Sequence, residues 1–203
     1  MTGAALLALL SEMVGHSHWE QLAFVLALAY LVLAIRRSQW CWAAAFVSSA
    51  IYAVLVAQAH LVMQVLLQIY YVAMACVGYW QWRRGRDAGG ELEVRRWPLR
   101  AHLLAIAAVL VVSALNGAIA SYFRLGEARY LDAFVTWGSV LTTWMVTRRL
   151  VENWLYWIVV DAAAAVLYFI QGLKPTSVLY LIYIGLVIHG YFAWQRTARQ
   201  PRS

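Results

Sequence analysis

The sequence predicts an all-α membrane protein with seven transmembrane helices, in which two parallel three-helix repeats are joined by a connector helix. Hydrophobic residues make up 64% of the 203 residues and charged residues only 12%. The mean hydropathy is +0.67. A soluble domain carries about twice that charged fraction, so this composition excludes one. An internal repeat and the placement of the arginines, described below, complete the prediction.

Seven apolar runs are the candidate transmembrane helices. Each is close to the roughly 17–25 residues that a helix needs to cross a bilayer. A transmembrane β-barrel would instead show strands of roughly ten residues that alternate apolar and polar side chains, which these continuous runs lack. The runs lie at about 19–35, 40–58, 61–80, 101–123, 131–147, 153–170 and 175–194.

Three segments are expected to lie outside the membrane. Residues 1–18 form an extracytoplasmic N-terminal segment, whose short apolar stretch 4–10 has no basic region before it and is no signal peptide. The Arg-rich, Gly-containing segment 83–100 is a cytoplasmic linker, and residues 197–203 are a cytoplasmic tail.

The chain nearly repeats itself at an offset of 112 residues, when 20–84 is placed on 132–196. Repeat 1 then covers 19–82 and repeat 2 covers 131–196, with 101–123 as the connector. Because each repeat has an odd number of helices, one connector helix gives both the same orientation, and a substrate path is expected between them. Internal repeats of this kind are typical of transporters. The unusual residues that coincide are Arg36/Arg148, Arg37/Arg149, Trp42/Trp154, Tyr71/Tyr183, Gly78/Gly190, Tyr79/Tyr191, Trp82/Trp194 and Arg84/Arg196.

The net charge of +7 is an orientation signal, and we predict no nucleic-acid partner. Most arginines follow the odd-numbered helices, whereas Arg124, Arg129 and Lys174 fall in loops on the other side. Positive residues concentrate in cytoplasmic loops, so the N-terminus is predicted outside and the C-terminus inside the cell. Cys41 and Cys76 have no redox or metal spacing and are expected to be inert, buried thiols.

The sixth span carries the strongest candidate site. Asp161 lies at its centre, where a carboxylate costs on the order of 2.5–3.5 kcal/mol. Trp154, Trp157 and Asp161 follow each other at i, i+3 and i+7, which places them on one stripe of the helix. Two indoles beside an anion suit a flat cation. The alternative is that Asp161 bonds a neighbouring helix and that the tryptophans only pack.

Other candidate substrate-binding residues lie in the third span and at repeat-equivalent positions. Gln64, Gln68 and Tyr71 share a helix face, where they would bond sugar hydroxyls or a carboxamide, or else hold helices together. We predict no metal site, since His16 and His18 lack a third ligand, and no cofactor. Tyr79/Trp82 and Tyr191/Trp194 are expected to be interfacial anchors. The remaining candidates are Asn153 and three residues that are the repeat equivalents of residues named above: Ser49 of Asp161, Tyr183 of Tyr71, and Trp42 of Trp154.

Other classes of seven-helix protein fit less well. A retinal protein needs a lysine inside the seventh helix, whereas the lone lysine, Lys174, precedes it. An enzyme is not expected, because the chain has neither an HExxH nor a GxSxG motif. A receptor or scaffold that binds without transport remains an alternative.

With these residues in view, the chain resembles the PnuC family of vitamin transporters from Trp19 to Trp194. The most specific segments are 148–157 (RRLVENWLYW), the Gln68 region followed by 78–82 (GYWQW), and 190–194 (GYFAW). The resemblance implies a bacterial inner-membrane facilitator that imports nicotinamide riboside without ion coupling and is a homotrimer. A cytoplasmic kinase would trap the substrate by phosphorylation. The family's paired tryptophans correspond to Trp154 and Trp157, and its helix-three glutamine corresponds to Gln68.

Asp161 departs from the resemblance, since the comparable riboside transporters carry Asn there. Members of the family also carry thiamine, another flat cation, or riboflavin, which is neutral. A carboxylate favours a cation, so nicotinamide riboside is the expected substrate and thiamine the alternative.

Overall fold

The structure is a computed structural model that describes residues 17–58, 62–85, 92–124 and 128–199. Its described part contains seven helices and no strand longer than an isolated bridge, which confirms the predicted all-α fold. The predicted surface stretch 4–10 and His16 lie outside the described residues. Cys41 is buried as predicted, whereas Cys76 is exposed on the surface of its helix, so the prediction of burial is wrong for Cys76. The helices are α1 (His18–Ile35), α2 (Cys41–Gln58), α3 (Val62–Arg84), α4 (Leu99–Tyr122), α5 (Arg129–Thr147), α6 (Asn153–Ile170) and α7 (Lys174–Arg199).

Local sequence signals set where the helices begin and end. Ser17 and Glu20 form a capping box at the start of α1: the Ser17 hydroxyl accepts from the Glu20 N–H at 3.1 Å, and the Glu20 carboxylate accepts from the Ser17 N–H at 3.0 Å. The helices α3 and α7 extend past the predicted apolar runs, to Arg84 and Arg199. Arginine has a high helix propensity, so both helices continue beyond their hydrophobic part.

The ends of α1 and α5 share one backbone motif. Arg37 and Arg149 adopt the left-handed conformation, with φ of 58° and 63°. The Arg149 N–H donates to the Val146 carbonyl, and the next N–H, that of Leu150, donates to the Met145 carbonyl. The Arg37 and Ser38 N–H groups repeat this pair of bonds at the end of α1. Both helices therefore end in a Schellman motif with arginine where glycine is usual.

The chain forms two compact units that divide between Glu93 and Val94. In the first unit, α2 packs against both α1 and α3; in the second, each of α4 to α7 packs against the next. A backbone bridge fixes the segment before α4 to the turn between α5 and α6: the Arg95 N–H donates to the Arg149 carbonyl, and the Val151 N–H to the Arg95 carbonyl, both at 2.9 Å. The connector helix thus belongs to the same unit as α5–α7.

Among the residues that the structure describes, five helices are long and apolar enough to cross a membrane: α1, α2, α4, α6 and α7. The helix α3 carries three glutamines and ends in two arginines, and the inward face of α5 is polar. On α5, Ser139, Thr142 and Thr143 are buried, and the Thr142 hydroxyl donates to the Gly138 carbonyl at 2.6 Å. The outer face of α4 is apolar, with Leu104 73% exposed, as expected for a helix in contact with lipid.

Candidate functional site

Trp154, at the start of α6, anchors that helix to α7. Its side chain is 2% exposed, and its ring stands edge-on to the Trp194 ring, with centroids 5.5 Å apart. Atom Cζ3 of Trp154 lies 2.6 Å from where a Cβ on Gly190 would stand, so a glycine is required for this approach. The structure therefore places Trp154 in the packed interior of the second unit.

The first unit contains the same contacts 112 residues earlier. Trp42 is 2% exposed, its ring occupies the position of a Cβ on Gly78, and it stands edge-on to the Trp82 ring at 5.2 Å. Trp82 and Trp194 are fully buried, so the prediction that they are interfacial anchors is wrong. Their equivalent places in the repeat mark a packing unit that occurs twice in the chain, since each ring closes a tryptophan–glycine contact between two helices.

Asp161 lies further along the face of α6 that meets α7. Trp154, Asp161, Ala165 and Tyr168 share this face at i, i+7, i+11 and i+14. Beyond Asp161, the Ser177 hydroxyl of α7 donates to the Ala165 carbonyl at 2.8 Å, and the Tyr168 ring stacks on the Tyr180 ring at 5.3 Å. Asp161 is 4% exposed, so its carboxylate is buried at the α6–α7 contact.

Within the described part of the chain, the surroundings of Asp161 contain an aromatic ring and no counter-charge. Trp157 lies one turn before Asp161 and is half-buried. Among the described residues, no hydrogen-bond or ion-pair partner meets the Asp161 carboxylate. Tyr183 lies seven residues before Gly190 and hence on the α7 face toward α6, where its ring stands edge-on to Tyr180 at 5.8 Å. The α6–α7 contact thus brings Asp161 and Tyr183 to one seam.

The first unit has a corresponding seam between α2 and α3. Ser49 follows Trp42 by seven residues and is buried, whereas Tyr71 precedes Gly78 by seven residues and is half-buried. Gln64 and Gln68 are also half-buried and lie on the Tyr71 side of α3. This seam offers hydroxyls and amides where the other offers a carboxylate.

Asn153 closes the start of α6. It is fully buried, and its Nδ2 donates to the Leu150 carbonyl in the α5–α6 turn at 2.5 Å. This bond gives Asn153 a role in shaping the turn. The described residues contain no group of three or more His, Cys, Asp or Glu side chains that could hold a metal ion.

Tyr30 of α1 is a neighbour of Trp42 that the sequence did not predict. Its ring lies 6.1 Å from that of Trp42, tilted by 54°. The available signal was a tyrosine inside an otherwise apolar run, and the repeat gave no support because position 142 carries threonine.

Comparison with known proteins identifies the family of the chain. The family model described as nicotinamide mononucleotide transporter matches residues 17–196. The chain is 32% identical to the riboflavin/roseoflavin transporter RibM of Streptomyces davaonensis, over 94% of this chain and 86% of RibM. It is 26% identical to the nicotinamide riboside transporter PnuC of Escherichia coli, over 77% of this chain and 76% of PnuC.

A solved structure has the same fold. The crystal structure of the vitamin B3 transporter PnuC matches with a TM-score of 0.73, at 22% identity, and the match covers 98% of this chain and 93% of that one. The seven-helix fold and the family match over residues 17–196 lead to one conclusion: the chain is a multi-pass membrane protein that belongs to the nicotinamide mononucleotide transporter family, which includes the PnuC vitamin transporters.

Proposed function

We propose that the protein imports nicotinamide riboside by facilitated diffusion, with Asp161 and Trp157 recognising the positive pyridinium ring. The observation that carries this proposal is a buried carboxylate with a half-buried indole one turn away and no counter-charge among the described residues. A flat cation supplies the missing charge and stacks on the indole, an attraction worth about 2 kcal/mol when water is excluded.

Some of the other candidate residues are proposed to contact the substrate, and others to support the site by packing. Gln68, Gln64 and Tyr71 are proposed to bond the carboxamide and ribose hydroxyls, with Tyr183 and Ser49 as further hydroxyl donors. Trp154, Trp42 and Asn153 are proposed to act by packing, because their side chains are almost fully buried. In this account Trp154 positions Trp157 by holding α6 on α7.

Riboflavin is a second candidate substrate, which the 32% identity to RibM favours. Riboflavin is flat and so would also stack on Trp157, but it is neutral and would leave the Asp161 carboxylate without a counter-charge. Thiamine, a cation, satisfies Asp161 as well as nicotinamide riboside does. The charge on the substrate therefore separates riboflavin from the two cations, nicotinamide riboside and thiamine.

The remaining features of the proposal follow the sequence. We propose two parallel three-helix repeats, an inner-membrane location with the N-terminus outside, and a homotrimer with one substrate path in each protomer. The substrate would be trapped by a cytoplasmic kinase, which needs no direct contact with the transporter. Uptake into proteoliposomes that continues with proton and sodium gradients collapsed is the result expected of an uncoupled facilitator.

A titration that follows tryptophan fluorescence tests the substrate. Purified protein is titrated separately with nicotinamide riboside, thiamine and riboflavin, with correction for riboflavin absorbance. Saturable quenching by nicotinamide riboside is expected. Saturable quenching by riboflavin alone would replace the proposed substrate, and binding without uptake into proteoliposomes would favour the receptor alternative.

A further inference from the structure

A cavity in the second unit lies between α4, α5 and α6. Its volume is about 290 Å³. Aliphatic and aromatic side chains line it from all three helices, and the Tyr156 hydroxyl is the polar group among the side chains that line it. The lining residues include Ile106, Val109, Phe134, Leu141, Tyr156 and Val159.

This cavity is separate from the proposed substrate site. Each residue turns an α-helix by about 100°, so Val159 points about 160° away from Asp161. Tyr156 is displaced by a similar angle. The cavity therefore opens on the side of α6 opposite to the seam that holds Asp161.

A polar and basic cluster lies at the arginine-rich end of the cavity. The Tyr156 hydroxyl and His102 Nδ1 are 2.9 Å apart. The His102 ring contacts the Trp97 ring at 5.5 Å, and Trp97 in turn contacts Trp144 at 5.6 Å. The guanidinium of Arg148 lies 5.2 Å from the centre of the Trp144 ring. This cluster joins the cavity wall to an exposed cation.

The distance between the Arg148 guanidinium and the apolar wall of the cavity suits an amphiphilic ligand. Arg148 and Leu141 are seven residues apart on one face, so the wall begins roughly 10 Å from the arginine, and Phe134 lies roughly 10 Å deeper. Arg148 is exposed, as are Arg95, Arg96 and Arg100 before and at the start of α4. Basic clusters at the ends of transmembrane helices bind anionic lipid head groups.

We propose that this cavity binds one acyl chain of an anionic phospholipid, whose phosphate is held by Arg148 at the arginine-rich end. The hydrocarbon chain covers the apolar wall, and the head group lies at the aromatic cluster, which is the depth where tryptophan prefers to sit. A free phosphate would meet the basic end but leave the apolar wall uncovered.

Native mass spectrometry of the delipidated protein tests the proposal. Phosphatidylglycerol and phosphatidylcholine with the same acyl chains are added to the wild type and to Val159→Phe, which fills the cavity. Val111→Phe is the matched control, because Val111 and Val159 are 58% and 57% exposed but Val111 does not line the cavity. We expect Val159→Phe to lower phosphatidylglycerol binding several-fold and Val111→Phe to leave it unchanged.

A charge variant tests the head-group contact. Arg148→Gln is expected to weaken phosphatidylglycerol binding about fivefold and to leave phosphatidylcholine binding unchanged. Arg196→Gln, which removes an exposed arginine from α7, is the control. Equal binding of both lipids by the wild type would overturn the proposal. So would a Val159→Phe variant that retains lipid and instead changes the oligomeric mass, since a second copy would then fill the cavity.

Discussion

The Trp154 ring fills the space beside Gly190 that any other residue's Cβ would need, with Cζ3 2.6 Å from that position. The contact joins α6 to α7, and the buried Trp194 ring closes it from the side. Trp42, Gly78 and Trp82 make the equivalent contact between α2 and α3. The rare residues that coincide at an offset of 112 thus mark a packing device present in each unit.

The first prediction concerns the stability of this contact. Gly190→Ala should destabilise the protein by about 1–3 kcal/mol, because the added methyl group forces a rigid indole to move. Thermal unfolding in detergent measures the effect. Gly185→Ala, on the same helix with nothing within 4 Å of its Cβ position, is the control and should unfold at the wild-type temperature or above. Equal melting temperatures for both variants would contradict the prediction.

The second prediction separates the roles of the two tryptophans of α6. Trp157→Leu should weaken nicotinamide riboside binding about tenfold, because the half-buried indole stacks on the substrate. Trp154→Leu should mainly lower the melting temperature, because that ring is fully packed. Isothermal titration calorimetry, which does not depend on tryptophan emission, gives the affinities. Trp40→Leu, which removes a 72% exposed indole, should change neither quantity. A Trp157→Leu variant with wild-type affinity would exclude stacking there.

The third prediction uses the left-handed backbone at Arg149. Arg149→Gly and Arg149→Ala both remove the guanidinium, but alanine must still adopt a φ of 63°. Glycine adopts that conformation without strain, so the glycine variant should be about 1 kcal/mol more stable than the alanine variant. Chemical denaturation of the two variants measures the difference. The same order is expected for Arg37→Gly and Arg37→Ala. Equal stabilities would mean that the backbone relaxes out of the left-handed region.

Much of the fold could be predicted from the sequence. Continuous apolar runs fix the number of helices because each must satisfy its backbone hydrogen bonds within the bilayer. The predicted ends of the helices were less accurate, because α3 and α7 continue to Arg84 and Arg199, beyond the point where the hydropathy falls. The connector's membership of the second unit depends on the bridge from Arg95 to the α5–α6 turn, which no sequence pattern indicates.

The candidate site could be predicted only in outline. The stripe of Trp154, Trp157 and Asp161 is correct as a helix face, but sequence cannot say which part of a face a neighbouring helix covers. The glycine at position 190 admits the Trp154 ring, and this leaves Trp157 as the more accessible indole. For the same reason Trp194, expected at the interface, lies in the core.

The proposed function depends on recognition of the substrate's positive charge by the Asp161 carboxylate. The most direct test is the affinity for nicotinamide riboside, measured by tryptophan quenching, of the wild type, Asp161→Asn and Asp132→Asn. Asparagine keeps the shape and removes the charge, and Asp132, exposed at the start of α5, is the control. We predict an affinity about tenfold lower for Asp161→Asn and unchanged for Asp132→Asn. Equal affinity of Asp161→Asn and the wild type would contradict the claim and leave Asp161 a structural role.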